Sequence, residues 1–498
     1  MGDAPLMLGV SGLRGIVGES LTPEVATNFA GAFGSWLRRG YTEEDNSEPI
    51  SRPIVMVARD GRADGELIYE AVVEGLLQAG CEVHAADVQM TPTVGCAIEQ
   101  GGFIESGVVV TASHNPQEWN GIKLLVDGAA PPTPVANEII ELFQSGAPKP
   151  HSQRGTREEY TGASALHRVE VGDELQHSLG HSLQDPTFPK PIWGVSETTL
   201  SAVVDSVNAS GRLIVREFFD EEVCVELHHL FADDSGIFPH TPEPTEENLS
   251  GEGGLCDAVP GLKADVGFAQ DPDGDRLAII DENGKYIGEE YTLVLCAVSV
   301  LEAMKHKQDG AQESGDVVLC ANLSTSRMID DVAASYGASV VRTAVGEANV
   351  VEAMKRLKKD GKNVVLGGEG NGGVIWPKVT YVRDSLSSMA LVLSLMARTG
   401  KTVSELVVDV PSYAIVKRKQ PLAKKEDARP AIERLAAHYK SERVDTQDGV
   451  RVDFDSDRSW VHVRASNTEP ILRLIAEAPT AERAEAVLDE VQGLVDAG

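Results

Sequence analysis

Along most of this chain, short runs of β-branched and aliphatic residues alternate with longer stretches in which apolar positions recur every three or four residues. That alternation predicts strands and helices stacked in α/β layers. The runs Ile54–Ala58, Gly107–Val110, Val203–Asp205, Leu277–Asp281, Val317–Ala321, Val340–Thr343 and Val364–Leu366 predict strands, and Gly65–Gln78 and Asn349–Lys359 predict helices. Three polar stretches break the pattern: residues 146–165 read as a linker, and residues 178–192 and 232–254 as irregular. After a boundary near residues 400–410, the remaining pattern predicts a smaller α+β unit ending in a helix over Ala481–Val495. No internal repeat or low-complexity tract stands out.

At 498 residues the chain exceeds what one hydrophobic core supports, which predicts about three or four domains. The longest mostly apolar stretch, Tyr291 to Met304, is interrupted by Ser299 and Glu302 and falls short of the ~20 residues a membrane-spanning helix needs. The N-terminus shows neither a basic region nor a sustained apolar run, and Leu6 stands where a myristoylation motif has Ser or Thr. A cytoplasmic location is therefore expected. The six cysteines lie far apart, form no Cys-x-x-Cys pair and sit in apolar or strand-like contexts, which predicts buried free thiols and no structural zinc. A net charge of −33 argues against nucleic acid or an anionic membrane as partner. A phosphorylated small molecule would be repelled too, unless positive charge is concentrated locally.

Four constellations carry candidate chemistry. Val108–Val110 leads into Thr111-Ala112-Ser113-His114-Asn115-Pro116, and Pro116 turns the chain. Ser113 and His114 then lie on a loop at the C-terminal end of a strand, where open α/β sheets bind ligands, with Lys123 close behind. A plain turn with Ser113 and Asn115 satisfying the backbone is the alternative. Second, Asp271, Asp273 and Asp275 alternate with Pro272 and Gly274. Three carboxylates on such a loop can converge on one hard cation, and open positions for water or phosphate suit Mg²⁺. An EF-hand is disfavoured, because Arg276 stands where its sharp turn needs glycine.

Third, Gly368-Glu369-Gly370-Asn371-Gly372-Gly373 matches a dinucleotide fingerprint literally, but Val374-Ile375-Trp376-Pro377 cannot open the required helix. The carboxylate of Glu369 and the amide of Asn371 could bond vicinal sugar hydroxyls, or the segment could be a simple tight turn. Fourth, Arg464 and Arg473 flank a Ser466-Asn467-Thr468 turn. Their guanidinium forks, with hydroxyls and backbone N–H groups, suit a phosphate; surface pairing with Glu469 or Glu477 is the alternative.

In this order, the serine, aspartate, glycine-rich and phosphate constellations resemble the α-D-phosphohexomutase superfamily, which includes phosphoglucomutases, phosphomannomutases and phosphoglucosamine mutases. The resemblance runs from Ser11 to Arg473. It implies three similar α/β domains around a central cleft plus a smaller C-terminal α+β domain: a phosphoserine domain over 1–150, a metal-binding domain over 151–284, a sugar-recognition domain over 285–405 and a phosphate-binding domain over 406–498. It further implies that Ser113 carries the catalytic phosphate and joins Asp271, Asp273 and Asp275 around Mg²⁺ through a phosphoserine oxygen. Val10–Gly15 resembles the family's opening loop, so Arg14 would reach the reacting phosphate, with Ser11 at the substrate. Lys123 and His114 would be proton-transfer candidates. Glu369 and Asn371 would grip the sugar, while Arg464, Ser466, Asn467, Thr468 and Arg473 would bind the non-reacting phosphate. Arg276 would help neutralise charge. Arg59-Asp60-Gly61-Arg62 resembles a further loop of the first domain, with no role defined.

The implied reaction interconverts hexose 6- and 1-phosphates through phosphoserine and a 1,6-bisphosphate, with catalytic amounts of bisphosphate as activator. The implied partner is a small hexose phosphate, and the implied state is a monomer or homodimer. Leu8 and Val10 replace the Phe and Thr common in relatives. Glu347, closing the Thr343–Glu347 loop, is acidic, which disfavours a histidine relay there and suits an amino group. The glycine-rich loop resembles archaeal-type phosphoglucosamine mutases and some dual phosphomanno/phosphoglucomutases, whereas Ser466-Asn467-Thr468 leans toward the hexose enzymes. Phosphoglucosamine mutase leads, phosphomannomutase/phosphoglucomutase is the alternative, and a non-catalytic sugar-phosphate binder is remote.

Overall fold

The computed structural model describes residues 6–40, 52–146, 150–179, 200–306, 315–466 and 470–496. Each strand and helix expected above is found, several of them extended at their ends. Strands β1 (Met7–Gly9), β2 (Gly12–Ile16), β3 (Ile54–Arg59), β4 (Glu82–Val88), β5 (Ser106–Val110), β6 (Trp119–Val126) and β7 (Thr156–Glu159) form a sheet of order β1-β2-β6-β5-β3-β4-β7. Val55 and Val57 of β3 pack with Phe29, Phe33 and Val72 from helices Pro23–Leu37 and Gly65–Gln78, whereas Met56 and Ala58 enter a second cluster. β5 divides in the same way, Val108 and Val110 from Val109. Two covered faces explain why these strands read as continuous apolar runs.

The expected linker over 146–165 needs correction. It contains β7, which pairs in parallel with β4, and the start of helix Ala163–Leu179. All four residues of β7 are exposed, so no apolar alternation announces it. Charged residues on such an edge also discourage pairing with other chains. The expectation over 178–192 lies outside the described residues beyond Leu179. Over 232–254 the chain is irregular except for the short helix Glu246–Leu249 and a turn after it.

Strands β8 (Leu200–Asp205), β9 (Val225–Leu230), β10 (Val266–Gln270) and β11 (Leu277–Ile280) form a second sheet of order β11-β10-β8-β9, parallel except for β10–β11. Next come the parallel pair β12 (Val317–Asn322) and β13 (Ser339–Thr343), then the hairpin of β14 (Asn363–Glu369) and β15 (Gly373–Ile375). The last strands, β16 (Ala414–Pro421), β17 (Arg443–Asp445), β18 (Val450–Phe454), β19 (Ser459–Ala465) and β20 (Ile471–Ala478), form a five-stranded antiparallel sheet under helix Ala481–Asp496.

Two compact units result. One holds Met1–Glu313 and Val365–Val407, the other Ser314–Val364 and Val408–Gly498, so the chain passes between them three times, once within β14. Among the described residues no helix is long and apolar enough to cross a membrane. Five cysteines are buried, but Cys224 is exposed, which corrects the expectation of six buried thiols. It lies just before β9, the edge strand of its sheet, where the chain is only partly covered.

Candidate active site

The first unit brings the serine, aspartate and glycine-rich loops together. Ser113 has φ +51°, a left-handed conformation uncommon for any residue but glycine. The surrounding bonds hold it there. Its N–H donates to Thr111 Oγ1 (2.8 Å), and its carbonyl accepts from Arg62 Nη2 (2.9 Å). Arg62 is fully buried, paired with the fully buried Asp60 at 2.9 Å, and also bonds the carbonyls of Pro116 and Trp119. Thr111 Oγ1 donates to the same Asp60 carboxylate (2.7 Å). The Arg59–Arg62 loop thus acquires a concrete place: its ion pair clamps both ends of the serine loop. Strain of this kind persists only where neighbours over-determine it.

Ser113 Oγ donates to Asp271 Oδ2 at 2.8 Å and lies 3.2 Å from His114 Nδ1. Arg14, on β2, donates to Asn115 Oδ1 (3.0 Å) at the end of the same loop. Ser11 sits exposed in the turn joining β1 to β2. Lys123, on β6, places Nζ 2.5 Å from Asp273 Oδ2 and 2.8 Å from Asp275 Oδ2.

The aspartate loop is held from several sides. Its Asp271 Oδ1 accepts the N–H groups of Asp275 and Arg276, both at 3.1 Å. Thr91 donates to Asp273 twice, through N–H to the carbonyl (2.9 Å) and through Oγ1 to the carboxylate (2.6 Å). Ser210 N–H reaches Pro272 O, and Ser385 Oγ reaches Gly274 O. All three carboxylates are buried, and their pKa values diverge. Burial together with the charges of Asp275 and Asp273 pushes Asp271 well up. For Asp273 and Asp275 burial acts upward as well. Lys123 and Thr91 overcome it for Asp273, while Arg383, Lys123 and Arg276 hold Asp275 well below the usual range. His114 is pushed down to about 3 by burial and by Arg276 and Arg14, so its ring is neutral at ordinary pH.

Asp271, Asp273 and Asp275 each offer a ligand oxygen within 4.8 Å of the others. Asp273 Oδ1 and Asp275 Oδ1 are buried with no hydrogen-bond partner. Buried carboxylate oxygens of that kind are costly unless a further group satisfies them. The donor set is hard, all oxygen and fit for Mg²⁺.

Sequence reasoning missed Arg383. It bridges Asp275 Oδ2 (2.6 Å) and Glu369 Oε2 (2.7 Å), tying the aspartate loop to the glycine-rich loop. That loop is the tight turn between β14 and β15, and Asn371 Oδ1 accepts from Gly373 N–H (3.2 Å). Its carbonyl at Gly372 accepts from Leu277 N–H (3.0 Å), and Gly372 has φ +83°. A Cβ there would lie 2.5 Å from the Leu277 carbonyl oxygen, so only glycine closes this turn onto β11. Arg383 itself precedes helix Ser385–Thr399, whose cap Asp384 accepts from Leu386 N–H (2.9 Å) and from His167 (2.9 Å).

The second unit holds the remaining candidates. Arg464 and Arg473 face each other across β19 and β20, and Ser466 N–H donates to Ile471 O (3.0 Å). Asn467 and Thr468 lie outside the described residues. Glu347 opens helix Glu347–Lys359 after Gly346 at φ +121°.

Four domain descriptions of one family match along the chain, each described as phosphoglucomutase/phosphomannomutase: domain I over residues 5–149, II over 193–284, III over 289–413 and the C-terminal domain over 415–494. A phosphoglucomutase/phosphomannomutase of Thermococcus kodakarensis is 34% identical over 491 residues, 97% of either chain. This chain belongs to the α-D-phosphohexomutase superfamily. It is a phosphohexomutase, an isomerase that acts by intramolecular phosphotransfer. A "probable phosphoglucosamine mutase" of Methanopyrus kandleri is 34% identical over 493 residues, covering 98% of this phosphohexomutase and 97% of that protein. Among solved structures, a phosphoglucomutase/phosphomannomutase family protein of Burkholderia thailandensis superposes with a TM-score of 0.77 at 25% identity, covering 99% of this chain and 98% of that one. The phosphohexomutase fold, three α/β/α domains and a C-terminal domain, is therefore present.

Proposed function

We propose that this phosphohexomutase interconverts glucosamine 6-phosphate and glucosamine 1-phosphate through phosphorylated Ser113 and a hexose 1,6-bisphosphate. The observation that carries the phosphoserine assignment is the 2.8 Å bond from Ser113 Oγ to Asp271 on a strained loop that Arg62 clamps. Asp271, Asp273, Asp275 and an oxygen on Ser113 would hold Mg²⁺, which when bound supplies charge neutralisation at the transferring phosphoryl group. In the first half-reaction, the bond from phosphorus to Ser113 Oγ breaks and a bond to the sugar hydroxyl oxygen forms. The hydroxyl proton passes to a base, and the departing Ser113 Oγ takes up a proton in turn to leave as the neutral hydroxyl. His114 is neutral, and its Nδ1 lies 3.2 Å from Ser113 Oγ; Lys123, between two aspartates, is the second candidate. The bisphosphate then turns, and the reverse transfer restores phosphoserine. Arg14 and Arg276 add positive charge around the phosphoryl group.

Glu369, held by Arg383, and Asn371 bond the sugar hydroxyls, with Ser11 contributing from the opening loop. Arg464, Ser466, Asn467, Thr468 and Arg473 take the non-reacting phosphate. The domain roles proposed for 1–150, 151–284, 285–405 and 406–498 follow this division, and the setting is cytoplasmic. Glucosamine is favoured by the carboxylates of Glu369 and Glu347, which suit a protonated 2-amino group, and by the description of the Methanopyrus relative. Glucose and mannose phosphates are the second reading, favoured by the description of the Thermococcus relative.

Incubation with glucosamine 6-phosphate, glucose 1-phosphate and mannose 1-phosphate, each with trace bisphosphate, tests the proposal. Glucosamine phosphate should turn over with the highest kcat/KM, and release of inorganic phosphate without isomerisation would reject the mutase reading. Intact-protein mass spectrometry should find one phosphate, mapped to Ser113. Ser113→Ala should lose it, with activity down roughly 10⁴-fold or more, as for removal of other catalytic nucleophiles.

A further inference from the structure

In a chain of net charge −33, four arginines line one hollow of the second unit. The cavity measures about 350 Å³ and is bordered by Arg327, Arg342, Arg443 and Arg451, with Leu323, Val340 and Val444 as apolar wall. None of these residues belongs to the phosphate cradle on β19 and β20.

Two of the arginines are structural. Arg342 bonds the carbonyls of Asn322 (2.8 Å), Thr325 (2.8 Å) and Ser326 (3.0 Å) and pairs with Asp330. Arg451 pairs with Asp453 at 2.9 Å, bonds the Leu323 carbonyl, and lies 4.2 Å over the Trp460 ring. The other two have capacity left. Arg327 Nε and Nη1 are buried with no hydrogen-bond partner. Unmade bonds at a buried guanidinium are expensive, and Arg is the side chain whose fork matches a phosphate. Arg443 is 60% exposed at its side chain and makes only longer contacts, 3.2 Å to Asp455 and 3.5 Å to Asp453.

The same lining carries Asp330, Asp445 and Asp453. Arginines outnumber them by one. Carboxylates beside an anion site repel a bare polyanion but accept from hydroxyl groups. The combination fits a ligand with a phosphate at one end and hydroxyls at the other. We propose that this cavity is a second, non-catalytic sugar-phosphate site, in which Arg327 and Arg443 hold a phosphate monoester and Asp445 accepts from the ligand's hydroxyls.

The cavity spans a seam. Arg327 and Arg342 come from the segment around β12 and β13, and Arg443 and Arg451 from β17 and β18. The seam is already clipped by Arg451 to the Leu323 carbonyl and by Gln447 Nε2 to the Arg342 carbonyl (3.2 Å). A ligand gripped from both sides would add to these clips and raise the melting temperature through binding to the folded state alone.

Equilibrium dialysis of the full chain against labelled glucose 6-phosphate is the test. Two molecules per chain should bind in the wild type and one in Arg443→Gln. The mostly exposed Arg443 can be replaced with little risk to the fold; Arg327→Gln, with thermal melting as a folding control, is the second variant. Each should weaken the second binding event ~10-fold or more, the loss expected for one charge-assisted phosphate bond, while kcat/KM at low substrate stays within about twofold, the margin of an undisturbed catalytic site. Inorganic phosphate should compete at the second site at least ~10-fold more weakly, since it lacks hydroxyls that the carboxylates can bond. One molecule per chain in the wild type, or two retained in both variants, overturns the site. Equal competition by inorganic phosphate overturns the role of the hydroxyls.

Discussion

Asp271, Asp273 and Asp275 are between 0% and 1% exposed, whereas Arg464 is half-buried and Arg473 exposed, although each group sets like charges side by side. The aspartates sit where water cannot screen them, so the chain supplies its own counter-charges: Lys123 to Asp273 and Asp275, and Arg383 to Asp275. The arginine pair stands directly opposite across β19 and β20, an arrangement that costs stability unless solvent screens it. Burial therefore fixes the aspartate loop into a network that cannot lose one member cheaply. Arg473, exposed on β20, can be replaced with little structural cost.

The largest expected effect tests the buried side. Asp275→Asn removes one charge from a closed set and leaves Lys123 with Asp273 alone and Arg383 with Glu369 alone, so unfolding free energy should fall by about 3 kcal/mol. Activity should drop about 10²–10³-fold, as for loss of one preorganised charge-stabilising group. Arg62→Met is the companion on the serine loop. It leaves Asp60 buried without a counter-charge, and should cost a similar amount, about 3–5 kcal/mol, while Ser113 relaxes from its positive φ. Denaturant unfolding measures both, and a loss of activity at unchanged stability would break the idea that the clamp holds the loop.

Arg473→Gln probes the open side. Its melting temperature should match the wild type, while KM for the hexose phosphate rises ~10-fold or more with kcat less affected, because one charge-assisted phosphate bond is lost. Equal destabilisation by Asp275→Asn and Arg473→Gln would erase the distinction between the two clusters.

Much of this arrangement was legible before any coordinates. Strands β3 and β5 announce themselves because both of their faces are covered, and Pro116 marks the turn that delivers Ser113. Alternate aspartates placed the candidate cation site, because their spacing is local. What stayed hidden depends on partners distant in sequence. Arg383 meets Asp275 across 108 positions and Arg62 meets the Ser113 carbonyl across 51, and neither separation leaves a local signature. Strand β7 was missed for a different reason: an exposed edge strand held by backbone bonds needs no apolar residue. Helix Ser385–Thr399 carries four buried serines, and Ser388 is accommodated by donating to the Asp384 carbonyl at 2.6 Å, so serines can lie in a core.

The smallest expected effect concerns pH and again separates buried from open charge. His462 is fully buried, with Nδ1 2.9 Å from Ser324 Oγ and Nε2 2.7 Å from the Asp448 carbonyl. Burial lowers its pKa from 6.5 to about 4; Asp448 opposes the shift, and Arg451 and Arg464 add to it. His229 is likewise pushed down to about 4, by burial and Arg216. In both cases the fold favours the neutral ring. As pH falls from about 6.5 towards 4, the unfolded chain therefore takes up protons that the folded chain refuses, and stability declines across that window after being fully present above it. Each ring should contribute on the order of 1–3 kcal/mol to the decline. Urea unfolding at pH 7.5 and pH 5 should show the loss, and His462→Gln, which keeps a donor and an acceptor but cannot titrate, should flatten part of the slope. An unchanged slope in His462→Gln would mean that the ring takes up its proton in the fold as readily as in the unfolded chain, and that burial between β19 and Ser324 does not hold it neutral.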